Sequence, residues 1–275
     1  MQTAAQQGRY VYDSSTEAMT VHTLFDAVET SEPTRAQLTG LAAGTTGALH
    51  IRGFFSPAEC DSVVRGIEEH PMGSYRFTPP MAKLGPAAYD YYKTGALGSE
   101  YFEQAEHDAR VRSTLLAGSD PLTVALDRLS RAWGSPVEPA RAQGRPLFAG
   151  LIREINNGAR THFDEISREC PTALDETPVA QLAFNCHLTV PEGGGEAVIS
   201  RRRWKPSDEA HREGYGYSSR LVEDEPTVTL TPRLGDAVLF DPRNFHSVGR
   251  LTGGRRVTLS FFLGLRADGV LTVWS

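Results

Sequence analysis

The sequence is poor in cysteine and has no long apolar run. Its three cysteines, Cys60, Cys170 and Cys186, form no CxxC or Cys/His spacing among 275 residues. An odd number without such spacing argues against a disulfide framework and favours a reducing cytoplasm. No run approaches the roughly 18 apolar residues of a membrane-spanning helix, and the N-terminus lacks the basic and apolar regions of a signal peptide.

Basic residues are also fewer than acidic ones. The chain has 28 Lys and Arg against 34 Asp and Glu, a formal net charge of −6, which argues against a protein that coats nucleic acid. Its 40% hydrophobic and 23% charged residues are ordinary globular values, so a substantial core is expected. We expect one domain over residues 21–275, preceded by a polar and flexible arm at residues 1–20.

Helical patterns dominate residues 21–146. A capping box at residues 56–59 predicts a helix that begins there, and Pro121 after an aspartate predicts the start of a second. Residues 99–117 are expected to form a third helix that ends before a glycine. These helices would support whatever core the second half of the chain forms.

From about residue 147 the sequence changes to short apolar runs separated by Gly, Pro and Asn, a pattern typical of strands. The predicted fold is α+β to mainly β, with a double-stranded β-helix (jelly-roll) core at about 147–275 and supporting N-terminal helices. The charged stretch at about 201–225 interrupts the strand series. Because long loops in compact domains often cover binding sites, we expect it to be a lid-like insert.

A candidate metal site begins at His162 and Asp164. Residues two apart in extended backbone point to the same face, so an imidazole and a carboxylate can converge on one ion. His246, after a later strand and turn, is the best candidate for a third ligand. Two imidazoles and one carboxylate leave positions open, an arrangement that suits non-haem Fe(II). The HxD pair alone is common by chance, so the interpretation depends on the residues that come after His246.

Arg256 lies ten residues after His246, in a strand whose alternation places Arg256, Thr258 and Ser260 on one face. If that face looks inward, a guanidinium is buried, and its forked donors suit a carboxylate with a neighbouring hydroxyl. The pattern then predicts an acidic co-substrate that chelates the metal. Pairing of Arg256 with an internal Asp or Glu is an alternative of equal weight at this stage.

Taken together, these segments resemble the Fe(II)/2-oxoglutarate-dependent dioxygenases. The resemblance rests on HFD at 162–164, GDAVLF at 235–240 leading to His246, GRRVTLS at 254–260 and the GGGE turn at 193–196. The run at 194–209 is similar to the branch that contains hydroxylases of free or N-acylated amino acids and the iron-dependent aliphatic halogenases.

The resemblance implies that His162, Asp164 and His246 hold Fe(II). It also implies that 2-oxoglutarate chelates the iron and places its distal carboxylate on Arg256 and Thr258, while O2 takes the remaining position. The halogenases replace the carboxylate ligand with Gly or Ala so that chloride can occupy its place. Asp164 therefore implies hydroxylation, or a related oxidation, rather than halogenation.

Other polar residues are candidates for contacts with the small molecules. Asn185 could touch 2-oxoglutarate or a residue beside it, although a structural role is equally compatible. Arg203 with Trp204, and Arg76, are candidates for binding an acidic substrate. For these three the alternative is a solvated basic turn packed by the tryptophan.

The predicted function is hydroxylation of an aliphatic C–H bond in a small acidic molecule, a free or N-acylated amino acid or a related natural-product intermediate. No nucleic-acid or membrane partner is expected. Two alternatives stay open: a protein side-chain hydroxylase of the same chemistry, and a non-catalytic jelly-roll ligand-binding protein. The HxH cluster usual in cupin metalloenzymes is missing from the candidate site.

Overall fold

A computed structural model of the chain describes residues 25–76, 81–92 and 97–275. The predicted arm at residues 1–20 lies outside these ranges. None of the helices within them combines the length and the apolar character needed to cross a lipid bilayer.

The described residues contain short helices and many strands. The α-helices are α1 (Arg35–Ala42), α2 (Pro57–Glu68), α3 (Tyr89–Tyr92), α4 (Ser99–Arg112), α5 (Pro121–Trp133) and α6 (Ile166–Glu169), and 3-10 turns span Pro206–His211 and Ser219–Val222. The strands are β1 (Ala27–Thr30), β2 (Ala48–Ile51), β3 (Gly73–Ser74), β4 (Ala82–Leu84), β5 (Val137–Pro139), β6 (Arg141–Ala142), β7 (Arg145–Pro146), β8 (Leu151–Glu154), β9 (Ala159–His162), β10 (Ala180–His187), β11 (Ala197–Arg203), β12 (Arg212–Glu213), β13 (Gly216–Tyr217), β14 (Thr227–Leu230), β15 (Ala237–Phe240), β16 (Asn244–Val248), β17 (Val257–Leu265) and β18 (Leu271–Trp274).

Two sheets carry the architecture. The larger has ten strands in the order β1-β2-β15-β10-β17-β8-β4-β3, with β18 on β17 and β5 on β18. The smaller has four strands in the order β14-β11-β16-β9. The main chain of β10 pairs with both β15 and β17 in antiparallel register, so these strands form the centre of the larger sheet. The chain is therefore a mixed α/β structure with a β-rich core.

The helix starts follow the predicted chemistry. In α2 the Ser56 hydroxyl accepts from the Glu59 amide at 3.2 Å, while the Glu59 carboxylate accepts from the Ser56 amide at 2.7 Å. Ahead of α5 the Asp120 carboxylate accepts from the Leu122 amide at 2.8 Å. Each cap satisfies amides that a helix leaves unpaired at its start, which confirms both predicted helices.

Alternation along β17 divides polar from apolar residues. Val257, Leu259 and Phe261 belong to a large core that includes residues of α1, α2 and α5. Thr258 and Ser260 are buried polar residues of the same strand, 0% and 3% exposed, on its other face. The predicted division of this strand is confirmed, and the helices cover its apolar face.

The opposite face of the larger sheet packs against the smaller sheet. Their shared cluster includes Ala183 and Phe240 of the larger sheet together with Ile199, Val228 and Leu230 of the smaller one. This apolar cluster closes one side of the space between the sheets. A cavity lined by both polar and apolar residues occupies the remaining space.

The first half also contains strands. Residues 48–55 read as a short strand in the sequence, and β2 within them joins the centre of the larger sheet through β15. Two sequence expectations need correction. The predicted 99–117 helix ends at Arg112, and the following residues form a turn closed by a bridge between Leu116 and Ser119. The insert begins later than residue 201, since β11 stays paired with β16 as far as Arg203.

Gly235 is expected to be indispensable for stability. Its φ is +77°, a Cβ there would collide with the carbonyl oxygen of Phe55, and its own amide and carbonyl are bonded to His187 and Phe55 at 2.8 Å each. We expect Gly235→Ala to lower the free energy of unfolding by about 3 kcal/mol in denaturant titrations.

Gly269 supplies the matched control, because it has a φ of +86° and nothing within 4 Å of an added Cβ. Gly269→Ala is expected to cost only the strain of the left-handed conformation, about 1 kcal/mol. Equal losses in the two variants would contradict the steric argument.

Candidate active site

Three predicted metal ligands meet between the sheets. His162 ends β9 and is a register partner of His246 on β16. Asp164 follows two residues after His162, and its carboxylate lies 3.9 Å from the Nε2 atom of His162 and 3.5 Å from that of His246. One ligand atom from each residue lies within 4.8 Å of the others. Strand pairing thus brings together groups that are 84 residues apart in sequence.

Hydrogen bonds orient both imidazoles toward the cluster. The Nδ1 atom of His162 lies 2.6 Å from the carbonyl oxygen of Arg160, and that of His246 lies 3.0 Å from the carbonyl oxygen of Asn244. Because a carbonyl can only accept, each Nδ1 carries the proton and donates it. Each Nε2 lone pair is then free to bind a cation, the arrangement usual for metal-ligating histidines.

The loop that carries Asp164 is fixed by the main chain and by Gln181. The Asp164 amide donates to the carbonyl of Pro242 at 2.9 Å. Buried Gln181 on β10 donates to the Asp164 carbonyl at 3.2 Å and accepts from the Ile166 amide at 3.1 Å. The backbone of Asp164 is therefore held by the loop between β15 and β16 and by Gln181 of the larger sheet.

The protonation states also suit a cation. Burial, followed by repulsion from His246, lowers the pKa of His162 to about 4. Burial opposes ionisation of Asp164, but His162 and His246 prevail and lower its pKa to about 2. At neutral pH the His162 imidazole is neutral and the Asp164 carboxylate is ionised, so a divalent ion binds without displacing their protons. Two imidazole nitrogens and one carboxylate oxygen are a donor set that fits Fe(II) with open positions.

Arg256 is buried without an acidic partner. Its side chain is 3% exposed, and no carboxylate of the described residues forms an ion pair with it. Its Nε has no hydrogen-bond partner, and one terminal nitrogen lies 3.5 Å from His187 Nε2. Burial and the charge of Arg153 lower the pKa of Arg256 to about 10, so it remains cationic at neutral pH. An uncompensated buried cation is costly, and an anionic ligand would offset that cost.

The polar floor beside Arg256 is a connected network. Asn185 and Ser260 line the cavity that also contains the metal cluster and Arg256. Asn185 Oδ1 accepts from the Ser260 hydroxyl and from Arg153 Nη2, both at 2.9 Å. Thr258 lies on the same face, but its hydroxyl bonds Ser260 at 2.9 Å and the residue is absent from the cavity lining among the described residues.

The insert after Arg203 covers the cluster through the β12–β13 hairpin. The Tyr215 ring lies 6.1 Å from that of His162, and its hydroxyl accepts from the Arg160 amide at 2.8 Å. Tyr217 packs against Phe163 and Phe245. Tyr215 therefore forms part of the cavity wall.

The three predicted substrate residues lie outside the cavity lining described by the structure. Arg203 pairs with Asp241 at 2.6 Å, and Arg76 pairs with Glu100 at 2.6 Å. Trp204 Nε1 donates to a glutamate at 2.8 Å. Because both cations already have an acidic partner, their substrate-binding role gains no support from these contacts.

Arg153 and Gln181 are among the cavity residues that sequence reasoning missed. Arg153 could have been found from its strand. It alternates with the apolar residues Leu151 and Ile155, which also line the cavity, on one face of the β8 segment. Gln181 had no such signal, because its role depends on the position of the Asp164 loop.

Comparison with known proteins places this geometry in a family. Residues 21–271 match a family model described as carrier-protein-independent halogenase WelO5. The L-gamma-glutamyl-L-propargylglycine hydroxylase of Streptantibioticus cattleyicolor is 42% identical over 92% of this chain and 97% of that protein. The L-isoleucine 3(1)-dioxygenase of Pantoea ananatis is 23% identical over 82% of each protein.

A solved structure supports the same fold. The match to the N-substituted L-amino acid dioxygenase of Burkholderia ambifaria covers 88% of this chain and 91% of that protein's chain. Its TM-score is 0.59, with 16% sequence identity. On the extent of the family match and the 42% identity, the chain belongs to the WelO5 family of Fe(II)/2-oxoglutarate-dependent dioxygenases and is an enzyme that uses Fe(II), 2-oxoglutarate and O2.

Proposed function

We propose that the enzyme hydroxylates an aliphatic C–H bond of a small amino acid or N-acylated amino acid. One observation carries this proposal: the His162–Asp164–His246 cluster and the unpaired Arg256 face the same cavity. A metal site with open positions and a separate carboxylate site within one cavity fit a co-substrate that is bound at both ends.

The roles of the residues follow from their contacts. His162, Asp164 and His246 would hold Fe(II), and Arg256 would bind the distal carboxylate of 2-oxoglutarate. Ser260 lines the cavity and would be the nearer hydroxyl, with Thr258 bonded behind it. When bound, Fe(II) with 2-oxoglutarate and O2 supplies an oxidant strong enough for an unactivated C–H bond. The chain orients the reactants and limits the access of water.

Asp164 favours hydroxylation over halogenation. In the halogenases that the sequence resembles, Gly or Ala leaves a ligand position for chloride. Here a carboxylate with a pKa of about 2 lies 3.5 Å from His246, and the backbone of Asp164 is held by the Pro242 carbonyl and the Gln181 side chain. The carboxylate would occupy the position that chloride needs.

The substrate class is supported by the relatives. The protein with 42% identity over nearly the whole chain is named as a hydroxylase of a γ-glutamyl amino acid. Tyr215 of the β12–β13 hairpin lies beside His162 in the cavity wall, and a cavity walled on this side fits a small molecule better than a polypeptide. This favours the small-molecule hydroxylase over the protein hydroxylase.

The finer architecture belongs to the same proposal. Two facing sheets with the ligands on β9 and β16 fit a double-stranded β-helix core within a single domain over residues 21–275. The free thiols of Cys60, Cys170 and Cys186 fit a cytoplasmic location.

Activity can be tested with a panel of small molecules. The enzyme is loaded anaerobically with Fe(II) and 2-oxoglutarate, mixed with L-γ-glutamyl-L-propargylglycine, L-isoleucine or N-acylated L-amino acids, and exposed to oxygen. We expect at least one compound to gain the mass of one oxygen atom with an equal amount of succinate. Succinate without any oxidised compound would contradict the substrate class. Equal oxidation of the same residue inside a long peptide would favour the protein hydroxylase.

The metal ligands are tested by single substitutions. His162→Ala and Asp164→Ala each remove one of three donors, so we expect succinate formation to be abolished and Fe(II) affinity to fall by more than about 100-fold. His107→Ala, an exposed histidine on α4, is the control and should leave both unchanged. Full activity in either ligand variant would remove that residue from the metal site.

The anion site is tested with Arg256→Gln. Loss of a charge-assisted carboxylate contact should raise the dissociation constant of 2-oxoglutarate by about 10- to 100-fold without changing Fe(II) binding. The visible absorbance of the anaerobic Fe(II)–2-oxoglutarate complex reports this affinity. Arg255→Gln is the matched control, because the adjacent Arg255 pairs with Glu154 at 2.9 Å and Glu68 at 3.0 Å instead. An unchanged affinity in Arg256→Gln would move the anion site elsewhere.

A further inference from the structure

Three arginines line the cavity, Arg153, Arg212 and Arg256, and Arg212 is paired with Glu209 at 2.8 Å. Arg153 is not among the residues proposed to hold Fe(II) or 2-oxoglutarate. It lies on β8 directly opposite Thr258 of β17, and Ile155 of the same segment adjoins Arg256. Arg153 and Arg256 are therefore diagonal neighbours across one strand pair, both on the cavity lining.

The contacts of Arg153 hold it in place without neutralising its charge. Nη2 donates to Asn185 Oδ1 at 2.9 Å, Nη1 makes a long contact of 3.5 Å to the Tyr75 hydroxyl, and Nε is buried without a hydrogen-bond partner. Asp164 and Glu169 are the side-chain carboxylates among the described lining residues, and neither forms an ion pair with Arg153. The guanidinium is thus positioned by neutral partners only.

Structural arginines elsewhere in the described chain are paired differently. Arg112, 4% exposed, donates through two nitrogens to the Asp120 carboxylate at 2.8 and 3.0 Å. Arg202 likewise pairs with Asp208 at 2.8 Å. An aspartate neutralises each of these two arginines, whereas Arg153 lines a cavity without a carboxylate partner, so its unpaired state points to an external anion.

The position of Arg153 separates it from the distal end of 2-oxoglutarate. Arg153 lies opposite Thr258, two residues along the chain from Arg256, and Asn185 links it to Ser260. The two guanidinium groups therefore occupy different positions along the cavity wall. The Tyr75 contact of Arg153 also turns it toward the segment of residues 81–89 that forms another part of the cavity wall.

We propose that Arg153, held by Asn185 and Tyr75, binds a carboxylate of the substrate and so fixes which carbon faces the metal. This inference rests on the proposed function, because it assumes that 2-oxoglutarate occupies Arg256 and the metal. A forked guanidinium anchored on one side can offer its remaining donors to a carboxylate, which restrains both the distance and the orientation of the ligand.

Equilibrium binding tests the proposal without turnover. The probe is the panel compound that the enzyme oxidises, beginning with L-γ-glutamyl-L-propargylglycine. Calorimetry under anaerobic conditions measures its dissociation constant from the enzyme loaded with Fe(II) and 2-oxoglutarate. We expect Arg153→Gln to raise the dissociation constant of this probe by about 10- to 100-fold and Arg153→Lys to raise it less. The affinity for 2-oxoglutarate should change less than about twofold, the reverse of Arg256→Gln.

Singly amidated probes identify the group that is bound. Converting one carboxylate of the dipeptide to an amide should weaken its binding to the wild type as much as Arg153→Gln does, and that analogue should bind wild type and variant alike. The weaker binding of the amidated analogue is measured on the wild type alone, so this measurement can be made even if Arg153→Gln fails to fold.

The failures can be told apart. Absence of oxidation across the whole panel would contradict the proposed function. Oxidation of a panel compound whose affinity is the same in wild type and Arg153→Gln would overturn only the role of Arg153. Loss of 2-oxoglutarate affinity with unchanged probe affinity would also overturn it, and would assign Arg153 to the co-substrate.

Discussion

Burial of Arg256 without an acidic partner is the constraint on which the cavity depends. A guanidinium that is 3% exposed loses most of its hydration, and neutral His187 is a poor replacement for a carboxylate. Burial and Arg256 itself lower the pKa of His187 to about 3, so the imidazole cannot add a second charge there. The site is therefore destabilised until an anion enters, and the free energy of binding that anion includes relief of this cost.

The same constraint explains why strand register matters so much. Arg256 and Thr258 face inward only because Val257 and Leu259 face the helical core, and a slip by one residue would exchange the two sets. On the other sheet, the pairing of His246 with His162 brings the imidazole rings to 4.2 Å between centroids. Apolar packing behind each sheet thus fixes the distance between a cation and a metal cluster that share no direct contact.

The sequence was sufficient for features that depend on local periodicity. The HxD spacing, the alternation around Arg256 and the capped helix starts at Pro57 and Pro121 are all decided by neighbours within a few residues, and the structure reproduces them. The position of His246 was also inferable, because a ligand set with two members needs a third.

The identity of distant ion-pair partners could not be inferred from the sequence. Arg203 contacts Asp241, which also pairs with Arg243, and Arg76 contacts Glu100. No local pattern marks these contacts, so each cation looked available for a substrate. Arg153 was overlooked for the opposite reason, since its significance is the lack of an acidic partner, and that is visible only when the residues around it are known.

The balance of charge also explains how one family can contain hydroxylases and halogenases. A ferrous ion, one ligand carboxylate and the 2-oxoglutarate dianion together leave a single negative charge, which Arg256 offsets. Replacing the carboxylate by Gly or Ala and adding chloride leaves this sum unchanged, so the surrounding cavity need not be rebuilt. In both cases a second unpaired guanidinium at Arg153 would leave one positive charge, which suits a substrate that brings a carboxylate. On the proposed assignment, Asp164 would decide the type of group transferred, while Arg256 and Arg153 would decide what kind of molecule is held for the transfer.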